Sequence, residues 1–333
     1  MCESEDVKNE ISFPTTLQQA ITYFADEDRA FEFMKGIRWA DGVVTCPRCN
    51  GTEVSFIKTR KLWTCKKCVT KKQFTLRVGT ILEDSPIGYD KWICAFWLIA
   101  NAKNGVSSYE IGRSLGVTQR TGWFMLQRIR LALQCGSIMK TQLGGIVEVD
   151  ETFIGGKARN MHAERRRETI KGRGASGKTA VQGLLERKSG GQSKVVLQVV
   201  PNIRANTLQG NVRQYVLKGA EVHTDALRSY SGLNEHFTHE VIDHAVSYVE
   251  GHVHTNGMEN FWSLLKRTIK GTYVAVEPFH LFRYLDEQAF RFNERKNKTG
   301  DQGRFLAAIA GIIGKRLTWK KLTGDNELLP SLA

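Results

Sequence analysis

Apolar residues recur at mixed three- and four-residue spacing over Thr16–Tyr23 and Arg29–Lys35, which predicts two short helices within residues 1–40. A helical segment begins near Tyr89, after a cysteine-rich stretch with short strand-like runs at Val54–Lys58 and Lys61–Thr64. From about residue 139 the period changes to that of strands: Ile146–Asp150, Thr179–Leu185, Val195–Val200, Glu221–Asp225 and Glu240–Ile242, with a helix over Asn206–Leu217. Helical patterning dominates again from Glu259 onward. The pattern divides the chain into residues 1–40 (helical), 41–85 (cysteine-rich), 86–138 (helical) and 139–333 (an α/β region with C-terminal helices).

Within 103–134, Ser107-Ser108-Tyr109-Glu110 has the S-x-x-E form of a helix start, followed by Ile111 and Leu115 at helical spacing. Gly116-Val117 interrupts the run and Thr118 can cap a second helix carrying Trp123, Phe124, Leu126 and Ile129 among Gln119, Arg120, Gln127, Arg128 and Arg130. Two short helices joined at a glycine resemble a helix-turn-helix, in which Gln119, Arg120 and Thr121 would open the DNA-reading helix and Arg128 would lie further along it. An ordinary helical hairpin in a core has the same pattern. Trp123 and Phe124 read as core residues rather than base-stacking platforms.

Three strands, a helix, a strand ending in an acid, another strand and then an acid-bearing helix is the order of a ribonuclease H-like fold with a mixed five-stranded sheet. That fold sets its first and fourth strands side by side, so Asp150 and Asp225 would be neighbours and a helix would deliver Glu259. Alternation puts Glu148 on the face of Asp150, where it could approach the same point, and turns Glu151 away. Taken singly, Asp225 could simply cap Ala226–Tyr230.

Charge narrows the partners. The 333 residues carry 48 Lys and Arg against 34 Asp and Glu, a net +14, which favours a polyanion through phosphate contacts and counterion release. The stretch Lys157–Lys178 holds eight Lys and Arg against two Glu, and reads as a mobile loop ordered by phosphates, with Lys171 and Arg173 as DNA contacts; a loop whose charge serves only solubility has the same composition. The longest apolar run, Trp92–Ala100, is far short of a bilayer span, and the acidic start Met-Cys-Glu-Ser-Glu-Asp lacks a signal core. A cytoplasmic, nucleoid-associated location is the expectation, where thiols stay reduced. Cys46-Pro-Arg-Cys49 and Cys65-Lys-Lys-Cys68, two C-x2-C knuckles 15 residues apart, then read as a zinc ribbon whose four thiolates close around one Zn²⁺ and supply folding energy. Cys2, Cys94 and Cys135 have no such partners.

The chain resembles the DDE-type transposases of bacterial insertion sequences, in the zinc-ribbon, ISXO-like group related to the eukaryotic Merlin transposases. The likeness rests on Val-Glu-Val-Asp-Glu-Thr-Phe-Ile-Gly-Gly-Lys (147–157), His-Thr-Asp (223–225), His-Thr-Asn-Gly-Met-Glu-Asn-Phe-Trp-Ser-Leu-Leu-Lys-Arg (254–267) and Phe-Arg-Phe-Asn-Glu-Arg (290–295), together with the ribbon and the helix pair. The resemblance implies a carboxylate triad of Asp150, Asp225 and Glu259 holding two Mg²⁺ or Mn²⁺ ions. It implies Lys266, seven residues beyond the third acid, as a DNA contact, with Asn256 as an auxiliary candidate. The implied activity is hydrolysis at terminal inverted repeats followed by attack of the freed 3′-hydroxyl on target DNA, by an assembled homo-oligomer. A non-catalytic DNA-binding regulator, and a nuclease of the same fold that cuts without joining, are the competing readings.

Overall fold

The computed structural model describes residues 12–134, 142–156, 159, 161–170, 172, 176–189, 191–242 and 254–324. Two helices open it, α1 (Leu17–Phe24) and α2 (Glu27–Arg38), capped by Thr16 and Asp26 side chains that accept from Gln19 and Arg29 backbone N–H groups. A three-stranded antiparallel sheet follows: β1 (Val54–Ile57), β2 (Leu62–Cys65) and β3 (Gln73–Thr75), the last not foreseen from pattern. Trp63 of β2 is buried and stacks on Phe31 of α2 and on Phe74 of β3, at centroid distances of 5.8 and 5.9 Å. The small sheet therefore lends its apolar face to the neighbouring helices, because it has too little of its own to close a core.

Helix α3 (Tyr89–Asn101) is buried along most of its length in that same core. Then come α4 (Ser108–Leu115), whose cap Ser107 accepts from Glu110 N–H, and α5 (Gln119–Leu133), capped by Thr118 accepting from Thr121 N–H. Gly116 makes the turn between them at φ +61°, a conformation costly for any residue with a Cβ.

The larger sheet contains β4 (Ile146–Ile154), β5 (Thr179–Ser189), β6 (Gln192–Val200), β7 (Glu221–Asp225) and β8 (Thr238–Ile242), in spatial order β6-β5-β4-β7-β8. The pairs β4–β5 and β5–β6 are antiparallel, whereas β4–β7 and β7–β8 are parallel. Helix α6 (Ala163–Thr169) lies inside the basic stretch expected to be loop; the run Ala-Glu-Arg-Arg-Arg-Glu is made largely of good helix formers. Helix α7 (Ala205–Tyr215) packs on one face of the sheet, sharing a core with Val147, Val149 and Leu184. On the other face lie α8 (Asn256–Thr268) and α9 (Leu281–Asn293), packed against Val181, Leu185, Val195 and Leu197.

The end of the described chain does not stay with the sheet. Helix α10 (Gly300–Ile309) returns to the first core, where Phe305 packs on Phe24, Phe33 and Trp97, and Ile81 N–H bonds to Ile312 O at 3.0 Å. Helix α11 (Trp319–Thr323) then lies against α5 through Trp319. The two regions are also joined by a buried ionic network. Arg130 of α5 donates to Glu287 of α9 at 2.6 Å, and Arg291 and the Tyr273 hydroxyl meet the other oxygen of the same carboxylate. Among the described residues no helix is long and apolar enough to cross a membrane.

The seat of α8 depends on Gly183 of β5, which pairs with Asp150 of β4. A Cβ there would lie 2.7 Å from the Trp262 ring and closer still to Met258. Gly183→Val is expected to lift α8 from the sheet and to cost about 3 kcal/mol, as overpacking of a filled core does. Urea unfolding of the purified protein checks this, and an unchanged midpoint would show that the close approach does not matter.

Candidate active site and metal-ligating residues

Strand β4, through Asp150, Glu151 and Thr152, and helix α8 with the turn that continues it line a cavity of about 600 Å³. Parallel pairing sets Glu148 of β4 opposite His223 of β7, and two residues beyond that last rung the strands carry Asp150 and Asp225. Helix α8 reaches the same point because its buried stripe, Met258, Phe261, Trp262 and Leu265, has the three- and four-residue spacing of one helix face. The opposite face then presents Glu259, Ser263, Lys266, Arg267 and Lys270, all lining the cavity with Asp150.

Asp150 is fixed from two sides. Its Oδ2 accepts from the Trp262 indole at 2.9 Å and its Oδ1 from Glu151 N–H at 2.8 Å. Burial, and after it the charges of Asp225 and Glu259, hold its carboxyl above the usual carboxylate range, despite those two hydrogen bonds. Asp225 also accepts from Leu227 N–H at 3.1 Å, a turn of its own, while the short helix Arg228–Tyr230 that follows has no side-chain cap. Glu259 and Lys266 are exposed on α8.

The two glutamates flanking Asp150 exchange the places that alternation suggests. Glu148 does face α8, but it is 1% exposed and fully engaged. One oxygen accepts from Arg187 Nε at 2.6 Å and the other from Met258 N–H, in the first turn of α8, at 2.9 Å; the ring of His254 lies 3.5 Å away. It anchors the helix that carries Glu259 instead of facing the cavity. Glu151, expected to turn away, lines the cavity with Asp150. The pairing of β4 with β7 ends at Glu148, and beyond it Asp150 and Glu151 both line the cavity. Burial first, then Asp150 and Asp225, push the Glu151 carboxyl up to about 9, which keeps it protonated at neutral pH. Trp262, expected only to pack, is also a hydrogen-bond donor to the site; Arg267 and Lys270 were not foreseen. The i+4 and i+7 spacing of Lys270 from Lys266 and Ser263 could have shown it.

The four cysteines form the other chemical centre. Cys46, Cys49, Cys65 and Cys68 place their sulfurs within 4.8 Å of one another, the one such group of potential ligands among the described residues. The hairpin pairing of β1 with β2 and the left-handed turn at Asn50 (φ 55°) bring the two knuckles face to face. Burial opposes ionisation of Cys46, but backbone N–H groups of Arg48 and Cys49 directed at its sulfur outweigh this and hold its thiol below the usual range. Four soft donors at this spacing fit a tetrahedral Zn²⁺. Cys94 is buried in α3, and Cys2 and Cys135 lie outside the described residues.

The residues expected to read DNA divide. Gln119 and Arg120 are exposed at the start of α5, and Thr121 is half-buried there. The Gln119 amide donates to Ser108 Oγ at 2.8 Å, and the Arg120 guanidinium lies 4.3 Å from the centre of the Trp319 ring. Arg128 is only 4% exposed, stacked 4.2 Å over Phe124, a place from which it does not reach a phosphate. Lys171 and Arg173 lie outside the described residues.

Comparison with known families gives two matches. Residues 142–293 match the ISXO2-like transposase domain and residues 25–71 the transposase zinc-ribbon domain. An uncharacterized transposase-like protein of Haemophilus influenzae is 36% identical over 107 residues, covering 32% of this chain and 86% of that protein. The chain belongs to the ISXO2-like transposase family. The zinc-ribbon match begins before α2, in keeping with the stacking of Phe31 on Trp63.

Because Trp63 and Trp39 both sit in the shared core, loss of a bound metal should not stay local. Chelation under reducing conditions, or Cys46→Ser, is expected to red-shift tryptophan emission and lower the thermal midpoint. Emission unchanged after verified metal removal would mean the sheet holds without it.

Proposed function

We propose that this transposase acts on the ends of its own insertion element, cutting the DNA there and joining the freed 3′-hydroxyl to a target. The observation that carries the reading is that Asp150 and Glu259 line one cavity beside the cations of α8 and its continuation, with Asp225 ending the strand that runs parallel to β4. The strand order and the helices on both faces support assigning residues 139–293 to the ribonuclease H-like class. The domain division proposed is a helical segment and zinc ribbon, then a helix-turn-helix of α4 and α5, then the catalytic region.

The three carboxylates offer hard oxygen donors that suit two Mg²⁺ or Mn²⁺ ions, which would activate the attacking oxygen and stabilise the leaving one. Cys46, Cys49, Cys65 and Cys68 would hold the structural Zn²⁺. Trp262 keeps the Asp150 carboxylate in one orientation, and Glu148 keeps α8 in register so that Glu259 stays opposite it. Lys266, Arg267 and Lys270 hold the DNA backbone over the acids, and Ser263 lies among them. Gln119, Arg120 and Thr121 present the reading edge of α5. Assembly on paired ends as a homo-oligomer completes the proposal.

The test uses labelled terminal-repeat DNA, purified protein and Mg²⁺. Nicking and strand-transfer products are expected, and Asp150→Asn, Asp225→Asn or Glu259→Gln should lower both by at least about a hundredfold while leaving DNA binding intact. Full cleavage by all three variants would reject the site. Nicks without joined product would favour a nuclease, and binding without nicks a regulator.

A further inference from the structure

A second cavity, of about 320 Å³, lies between the α4–α5 pair and the segment linking α8 to α9. It adjoins the first. The five-residue π-turn Ile269–Tyr273 continues α8 directly, and Lys270 lines the carboxylate cavity while Thr272 lines this one. Single π-turns at the end of a helix recur at functional sites.

The walls suit a flat, uncharged, hydrogen-bonding ligand. Trp123, Tyr273 and Tyr284 supply aromatic surface, and Gln119 and Ser108 supply an amide and a hydroxyl. Arg130 also lines the cavity. Its side chain is 1% exposed, its Nε is bound to Glu287, and its buried Nη1 has no hydrogen-bond partner. A buried guanidinium nitrogen without an acceptor is costly, and a ligand carbonyl or ring nitrogen would satisfy it.

The mouth is strained. Val274 has φ 62° and ψ −59°, and Ala275 N–H bonds back to Tyr273 O at 2.6 Å, which makes a tight three-residue turn with a β-branched residue at its centre. That conformation is rare and unfavourable for valine. The turn is nevertheless pinned on its N-terminal side, by Thr272 Oγ1 donating to Asn104 O at 2.8 Å and by the Tyr273 hydroxyl on Glu287. The result is an apolar side chain held out into solvent, 77% exposed, at the rim of an aromatic cavity. Strain retained under such constraint marks a position with a task.

We propose that this cavity receives a nucleobase turned out of the DNA duplex, with Val274 entering the stack in its place. The inference rests on the reading that the first cavity and α5 hold DNA. The base stacks on the aromatic walls, and Arg130 Nη1 donates to its acceptor edge. Val274 closes the gap left between neighbouring pairs, as inserted apolar wedges do. No bond to the base is made or broken.

The experiment measures binding of full-length protein to terminal-repeat duplexes that each carry one mismatch. A mismatch lowers the work of extrusion, so one position should bind about tenfold more tightly than the paired duplex. Ala275→Trp, an exposed residue on the rim, should block the cavity and abolish that gain. Val274→Gly removes the unfavourable φ, so it should fold at least as well, yet lose most of the gain. A tightening that appears at no position, or that persists in Ala275→Trp, overturns the proposal while DNA binding itself stands. Failure to bind any of the duplexes overturns the DNA reading and this inference together.

Discussion

The geometry of the acid site depends on how one helix is seated. Helix α8 meets the sheet through a Met258–Trp262–Leu265 stripe, and only a residue without a side chain at 183 lets it come close enough for the indole to reach Asp150. Glu148 completes the seat by accepting a first-turn backbone N–H, where the partial positive charge of the helix end is concentrated. Arg187 keeps that buried carboxylate paired, without which its burial would be expensive. Two acids two residues apart on one strand thus have different work. One orients the helix, and the other faces what the helix brings.

Much of this was legible in the sequence. Strand alternation and order sufficed for the sheet, because the two sides of β4 bury different cores and a slip by one residue would exchange them. The two-knuckle spacing was enough for the thiolate cluster, since four donors around one point leave little freedom. Helix caps at Ser107 and Thr118 were readable because each is a local hydrogen bond.

What stayed hidden was non-local. Periodicity says that α10 has an apolar face but not that Phe305 belongs with Phe24 and Trp97 instead of the sheet. The burial of Arg128 follows from Phe124 beside it, and no spacing rule distinguishes that arginine from the exposed Arg120. Glu151 departed from the alternation rule because that rule assumes a neighbour on each side of the strand, and here the ladder to β7 stops short of it. Helix α6 has no periodic signature, because its seven residues Ala-Glu-Arg-Arg-Arg-Glu-Thr contain one apolar side chain and so no face to repeat.

The return of α10 has a consequence for how the molecule comes into being. Its first core includes Phe24 and Trp97 from one end of the chain and Phe305 and Ile312 from the other, with the entire five-stranded sheet encoded between them. During synthesis the early helices must wait, their aromatic faces uncovered, until the ribosome has released residues beyond 312. A shortened copy lacking those residues would contain every acid and every cysteine of the two centres, yet lack the piece that locks its front half shut.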